Sequence, residues 1–129
     1  SFRLDLPDNV KILPNDLSIG DALDNTDIVV TTHSTVAMDA IMICKPLLFL
    51  DWGYKPHPYE EAVQFGAAEI ADTADKMKSI TNKFLSDKNY REEMIRNQLN
   101  YRPRIAKYIG EESANKITSL LCNTSVREQ

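Results

Sequence analysis

The sequence predicts an α/β fold, a Rossmann-like parallel sheet flanked by helices, with a helical carboxyl-terminal end. The run at 28–30 is apolar at consecutive positions, which is typical of a strand covered on both faces, and a second apolar run at 47–50 predicts another strand. Segments with apolar residues three and four positions apart stand between and after these runs, which indicates helices. Because strands that alternate with helices form βα units, we expect the strands to run parallel.

The bulk composition is that of a single globular domain without a marked charge. The chain has 129 residues, of which 43% are hydrophobic, and its net charge is −4 without any run of Lys and Arg. This composition supports one core and gives no reason to expect nucleic acid as a partner. No apolar stretch reaches the roughly 18 residues of a membrane-spanning helix. Cys44 and Cys122 match neither a metal spacing nor a disulfide framework, so we expect a reduced, cytoplasmic setting.

Two short elements are predicted ahead of the first confident strand. Val10 to Leu13 is an apolar run closed by a proline, which makes it a candidate strand. Ser18 can N-cap a short helix. The predicted face of that helix comprises Ile19, Ala22 and Leu23.

The strand that follows Asp27 leads into a turn and a helix. The helix is predicted to start at Ser34 or Thr35, because apolar residues then recur at helical spacing. Lys45-Pro46 ends it, since proline lacks the N–H that a continuing helix needs. The proline can then open the next strand, which runs to Leu50.

The second half of the chain predicts a loop over 51–58 and then mostly helix. A helix begins near Tyr59 and ends before Gly66, and 67–71 is a weak strand candidate. Asp72 or Thr73 caps the next helix. Its predicted inward residues are Met77, Ile80, Phe84 and Leu85.

Ser86-Asp87 is predicted to end that helix and to cap another, and the end of the chain is less regular. The aligned apolar residues of that helix are Tyr90, Met94, Ile95 and Leu99. No secondary structure is assigned to residues 101–108, because Pro103 lies among them. A last helix is predicted from Gly110, and residues 123–129 are expected to fray.

The first candidate ligand site is the polar turn that contains His33, Ser34 and Thr35. Parallel sheets bind ligands beyond the carboxyl ends of their strands, and the two best strands end at Thr31 and Asp51. Backbone N–H groups at a helix start bind phosphate, and small hydroxyl side chains add donors. The alternative is that one hydroxyl simply caps the helix, and the two roles are compatible. His33 is either an exposed loop residue or a donor to a phosphate or sugar oxygen.

The second candidate is the acidic pair Glu60-Glu61 at a helix start after the loop. A carboxylate there can accept hydrogen bonds from the two hydroxyls of a ribose, although acids are also common in first helical turns. The loop residues that can line a pocket, or cover the sheet instead, are Trp52, Tyr54, Lys55 and His57.

The order of the residues also resembles a known family. The string ALDNTDIVVTTHSTVAMDAIMICKPLLFLDW is similar to the carboxyl-terminal, donor-binding half of GT-B glycosyltransferases. The shared features are an acid before an apolar strand, a hydroxyl-rich turn, a helix with an acid and alanine, and Lys-Pro before the next strand. HPYEEAVQFGAAEIAD is similar to the stretch where the family places a ribose-binding Glu.

The resemblance implies a binding role for named residues. Ser34 and Thr35, with His33 beside them, would hold the diphosphate of a nucleotide donor, either a UDP-sugar or a CDP-polyol. Glu60 or Glu61 would hold the ribose. No Asp-x-Asp metal motif occurs in the sequence, and neither a metal nor a cofactor is expected.

The resemblance also implies a larger architecture. Residues 1–122 would form the donor domain, with its first strand missing or cut short, followed by a tail at 123–129. The acceptor domain and the usual catalytic base would lie in an N-terminal half of the same protein, so this piece should bind but not turn over. The implied role is the synthesis of surface polysaccharide, which is compatible with peripheral association at the inner face of the cell membrane.

Three functional classes remain in competition. The first is a transferase, either of the CDP-glycerol glycerophosphotransferase type or an ordinary nucleotide-sugar glycosyltransferase. The second is an isomerase or hydrolase like UDP-N-acetylglucosamine 2-epimerase, although that branch has glycines in the turn and Glu where this chain has Asp39. The third is a non-catalytic, flavodoxin-like interaction module.

Overall fold

The computed structural model describes residues 5–51, 53 and 55–109, with only the backbone of residues 106–109. Its helices are α1 Ile19–Asp24, α2 Val36–Met42, α3 Glu60–Gln64, α4 Ala74–Ser86 and α5 Lys88–Ile109. Its strands are β1 Val29–Thr31, β2 Leu47–Leu50 and β3 Glu69–Ala71. They form a parallel sheet in the order β1-β2-β3, so the predicted α/β, Rossmann-like fold is confirmed. No helix in this part of the chain is long and apolar enough to cross a membrane.

The central strand β2 is enclosed on both faces. Leu47 and Phe49 point into a core that α2, α3 and α5 complete, whereas Leu48 points into a second cluster with Phe84 of α4 and Met94 of α5. These three side chains, of the four in β2, are completely buried. The consecutive apolar residues of this strand fit its burial on both faces.

The predicted caps are present at three helix starts. The Ser18 hydroxyl accepts the Asp21 N–H at 3.1 Å, and the Thr73 hydroxyl accepts the Lys76 N–H at 3.1 Å. The Asp87 carboxylate accepts the Tyr90 N–H at 3.1 Å, which separates α4 from α5. Each cap satisfies a donor that the helix itself leaves unpaired.

The prediction of a strand at Val10 to Leu13 is wrong. The segment pairs with no described strand, and its apolar side chains are exposed, with Ile12 at 71% and Leu13 at 55%. An apolar run gains little from strand geometry unless it pairs and buries its side chains. The expectation that β1 is covered on both faces also fails at Val30, which is 44% exposed because α4 packs over β2 and β3 instead.

The predictions for α4 and α5 are partly correct. Phe84 and Ile80 face the core, but Met77 and Leu85 of α4 and Leu99 of α5 are exposed. The segment 101–108, to which the sequence assigned no secondary structure, is helical, since α5 continues through Pro103. Tyr101 and Ile105, one turn apart, are buried in the main core, which offsets the hydrogen bond lost at the proline. The last predicted helix and the tail at 123–129 lie outside the described residues.

Candidate functional site

The three strands of the sheet end at one edge, and the predicted ligand residues follow those ends. The turn at 32–35 follows β1, the loop at 51–59 follows β2, and Asp72 follows β3. Open parallel sheets bind ligands at this edge. The fold therefore brings the two candidate sites to the same side of the molecule.

The turn after β1 is solvent-exposed at His33, Ser34 and Thr35. The Ser34 hydroxyl accepts the Val36 N–H at 3.3 Å and so satisfies one donor at the start of α2, which agrees with the capping alternative. Thr35 occupies the N-cap position, but its side chain makes no capping hydrogen bond. Since α2 has only seven residues, its dipole contributes little, and a ligand here would rely on local N–H and hydroxyl groups.

Tyr59 connects this turn to the start of α3. Its hydroxyl donates to the Ser34 carbonyl oxygen at 3.1 Å, and its ring stacks on Phe49 with 4.9 Å between the centroids. Burial, followed by the nearby Asp39 carboxylate, raises the pKa of Tyr59, which keeps the hydroxyl protonated as a donor. The turn after β1 is thus held against the helix that carries both predicted ribose acids.

The acidic pair is divided between two clefts. Glu60 lines the larger cleft, of about 330 Å³, at the carboxyl edge of the sheet. Glu61 lines a smaller cleft of about 140 Å³ beside α5, and its carboxylate forms an ion pair with Arg104. The described lining of these two clefts does not include His33, Ser34 or Thr35.

The larger cleft contains two Asp–Lys pairs, each spaced four residues apart. Its lining comprises Asp51, Lys55, His57, Glu60, Val63, Gln64, Ile70, Asp72 and Lys76. Lys55 Nζ lies 3.1 Å from Asp51 Oδ2, and Lys76 Nζ lies 2.9 Å from Asp72 Oδ1. The Gly53 N–H, and after it Lys55, hold the pKa of Asp51 below its usual range. The Lys76 ammonium group does the same to the pKa of Asp72. Both carboxyl groups are therefore ionised at neutral pH.

His57 is the buried polar residue of the larger cleft, at 8% exposure. Its Nδ1 accepts the Tyr59 N–H at 3.1 Å, and its ring packs edge-on against Phe49 with 5.0 Å between the centroids. With Nδ1 as an acceptor, the neutral ring carries its proton on Nε2. Nε2 is then the ring nitrogen that can act as a donor.

Some residues that line the larger cleft were not predicted from the sequence as site residues. Asp72 was considered only as a helix cap, and Gln64 and Lys76 were not considered. The spacing of Asp72 and Lys76, four residues apart at a helix start, is visible in the sequence, but it does not reveal the neighbouring Asp51–Lys55 pair. Trp52 and Tyr54 lie outside the described residues.

Comparisons with protein-family models, with curated proteins and with solved structures found no match to this chain. Within the described residues, no group of three or more His, Cys, Asp and Glu side chains is placed to hold a metal ion. The function must therefore be argued from the geometry of the carboxyl edge itself.

Proposed function

We propose that this chain is the donor-binding part of a GT-B type glycosyltransferase, and that a nucleotide-diphosphate donor binds at the carboxyl edge of the sheet. The observation that carries the proposal is the hydrogen bond from Tyr59 to the Ser34 carbonyl oxygen. It holds the hydroxyl-rich turn next to the first turn of α3, where Glu60 faces a cleft. A diphosphate and a ribose are adjacent parts of one ligand, so their binding groups must be adjacent too.

Each proposed role follows from the chemistry of its side chain. The hydroxyls and backbone N–H groups around Ser34 and Thr35 donate to the diphosphate, and they stabilise the negative charge that it gains as the leaving group. Of the two acids, Glu60 accepts the ribose hydroxyls, because the carboxylate of Glu61 is engaged by Arg104. His33 lies beside the phosphates as an additional donor.

The remaining parts of the proposal concern the larger protein. The transferred group is a sugar or a polyol phosphate, and the acceptor is bound by an N-terminal domain of the same protein. The setting is the synthesis of surface polysaccharide or glycoconjugate at the cytoplasmic face of the membrane. The alignment of donor groups at one sheet edge supports a binding role for this chain.

Replacing Ser34 and Thr35 together with alanine should weaken nucleotide-diphosphate binding about tenfold or more, since each lost hydrogen bond to a charged phosphate costs roughly 1.5 kcal/mol. The measurement is calorimetric titration of the chain with UDP and with CDP. Loss of the Ser34 cap should also lower the free energy of unfolding by about 1 kcal/mol, so denaturation curves must accompany the titrations.

The matched control is Ser79→Ala with Thr81→Ala on α4, at positions that line neither of the two clefts. This double variant removes two hydroxyls of the same type and should leave the affinity unchanged. Equal affinity of the Ser34/Thr35 variant and the unsubstituted chain for the nucleotide that binds would reject the phosphate role.

A further inference from the structure

We infer that the cleft at the carboxyl ends of β2 and β3 binds an uncharged polyhydroxy group, a neutral sugar or a glycerol moiety, through its two Asp–Lys pairs. This inference rests on the proposed function and deepens it by naming the chemistry of the transferred group. The inference excludes a transferred group that would bring a carboxylate or an additional phosphate into the cleft.

The two pairs are adjacent because of the strand register. Leu50 of β2 and Ala71 of β3 are partners in the sheet, so Asp51 and Asp72 follow at the same level. The Asp51 N–H continues the ladder with a 2.8 Å hydrogen bond to the Ala71 carbonyl oxygen. Neighbouring strands lie about 4.8 Å apart, which sets the spacing of the two Asp backbones. That spacing suits the hydroxyls on nearby carbons of one sugar or polyol.

The charges of the cleft favour hydroxyl groups over anions. Three carboxylates, Asp51, Glu60 and Asp72, face two ammonium groups, Lys55 and Lys76, so no positive excess is left for a phosphate or a carboxylate. Each lysine is already paired with an aspartate, so an anion beside the ammonium group would also meet the neighbouring carboxylate, which repels it. A hydroxyl, in contrast, donates to the Asp oxygen and accepts from the Lys ammonium group without separating them.

Two of the binding groups, Asp51 and His57, are also held in place before a ligand arrives. The Asp51 side chain is only 10% exposed, and its second oxygen accepts the Gly53 N–H at 2.8 Å. His57 is fixed between the Tyr59 N–H and the Phe49 ring, with Nε2 remaining as a donor. Fixed donors and acceptors lose little conformational entropy on binding, which makes them suited to selecting one arrangement of hydroxyls.

The test compares nucleotides that differ only in the group beyond the diphosphate. Calorimetric titrations use UDP, UDP-glucose, UDP-N-acetylglucosamine and UDP-glucuronate, together with CDP and CDP-glycerol. At least one neutral donor should bind about tenfold more tightly than its parent diphosphate, and UDP-glucuronate should gain nothing over UDP. Asp72→Ala with Lys76→Met should remove the gain while preserving the affinity for the parent diphosphate.

The control variant is Lys88→Met with Glu92→Gln, which removes an ion pair of the same spacing on α5, outside the cleft. It should retain the gain. If UDP or CDP binds but no neutral donor binds more tightly than its parent diphosphate, the inference is wrong and the proposed function is unaffected. A gain for UDP-glucuronate, or a gain that survives in the Asp72/Lys76 variant, would overturn the inference as well.

A second measurement separates the two proposals if no nucleotide binds. NMR spectra of the labelled chain are recorded with glucose, with glycerol and with inorganic phosphate at high concentration. Binding of a neutral polyol should shift the Gly53 and Lys76 amide signals, whereas phosphate should not. If no nucleotide binds but a neutral polyol shifts these signals, only the nucleotide proposal is rejected. If the polyol causes no shift, the inference is rejected.

Discussion

Replacing Gln98 with alanine should lower the free energy of unfolding by about 3 kcal/mol, because it combines a cavity with two lost hydrogen bonds. Gln98 of α5 is completely buried. Its Nε2 donates to the Lys45 carbonyl oxygen at 2.7 Å and to the Ala67 carbonyl oxygen at 3.1 Å. These carbonyls precede β2 and β3, so one side chain ties α5 to the amino edge of the sheet. Urea denaturation followed by circular dichroism measures the loss.

The control for this substitution is Asn100→Ala, two residues further along α5 and exposed. It removes a side-chain amide from the same helix without opening a cavity, so stability should change little. The Gln98 side chain also leaves its Oε1 without a hydrogen-bond partner, which lowers its net contribution. A loss below about 1 kcal/mol would contradict the anchoring role, since an exposed amide costs no more than that.

Gly66→Ala should lower the free energy of unfolding by about 2–4 kcal/mol, from backbone strain and a steric clash together. Gly66 follows α3 with φ at +83°, a conformation that residues with a Cβ rarely adopt. An added Cβ would lie 2.5 Å from the Asn97 Nδ2, the atom that donates to the Gly66 carbonyl oxygen. The Asn97 contact must therefore break or shift, which loosens the junction between α3 and α5.

The chain offers a matched control at Gly53, whose φ is +92° and whose Cβ position meets no atom within 4 Å. Gly53→Ala therefore carries strain without the clash and should cost about 1 kcal/mol. Thermal unfolding of both variants, and of Gly66→Ala with Asn97→Ala, separates the two contributions. Equal losses at Gly53 and Gly66 would show that the Asn97 contact contributes nothing.

The parts of the fold that the sequence predicted are those with strong local patterns. The apolar run of β2, bounded by Pro46 and Asp51, identified a central strand, and hydroxyl or acidic residues identified the starts of α1, α4 and α5. The exposed Val10–Leu13 run was misassigned because its local pattern is that of a strand, whereas strand formation depends on a partner elsewhere in the chain. The continuation of α5 through Pro103 is likewise decided by burial of distant side chains.

The candidate site was predictable only in part, for a related reason. The turn at 33–35 and the acids at 60–61 are recognisable because each stands beside a predicted helix start. Whether Glu60 or Glu61 faces the cleft depends on Arg104, far along the chain, which pairs with one of them. The juxtaposition of the two Asp–Lys pairs depends on strand register, which no local pattern encodes.

We expect a nucleotide diphosphate to bind at the carboxyl edge of this sheet, between the Ser34 turn and Glu60. The most direct measurement is an NMR titration of the isotope-labelled chain with UDP and with CDP, followed amide by amide. We expect saturable shifts for residues 32–35 and for Glu60, and unchanged signals for Lys45 and Ala67 at the opposite edge. No shift with either nucleotide, or shifts confined to the Lys45 and Ala67 edge, would contradict it.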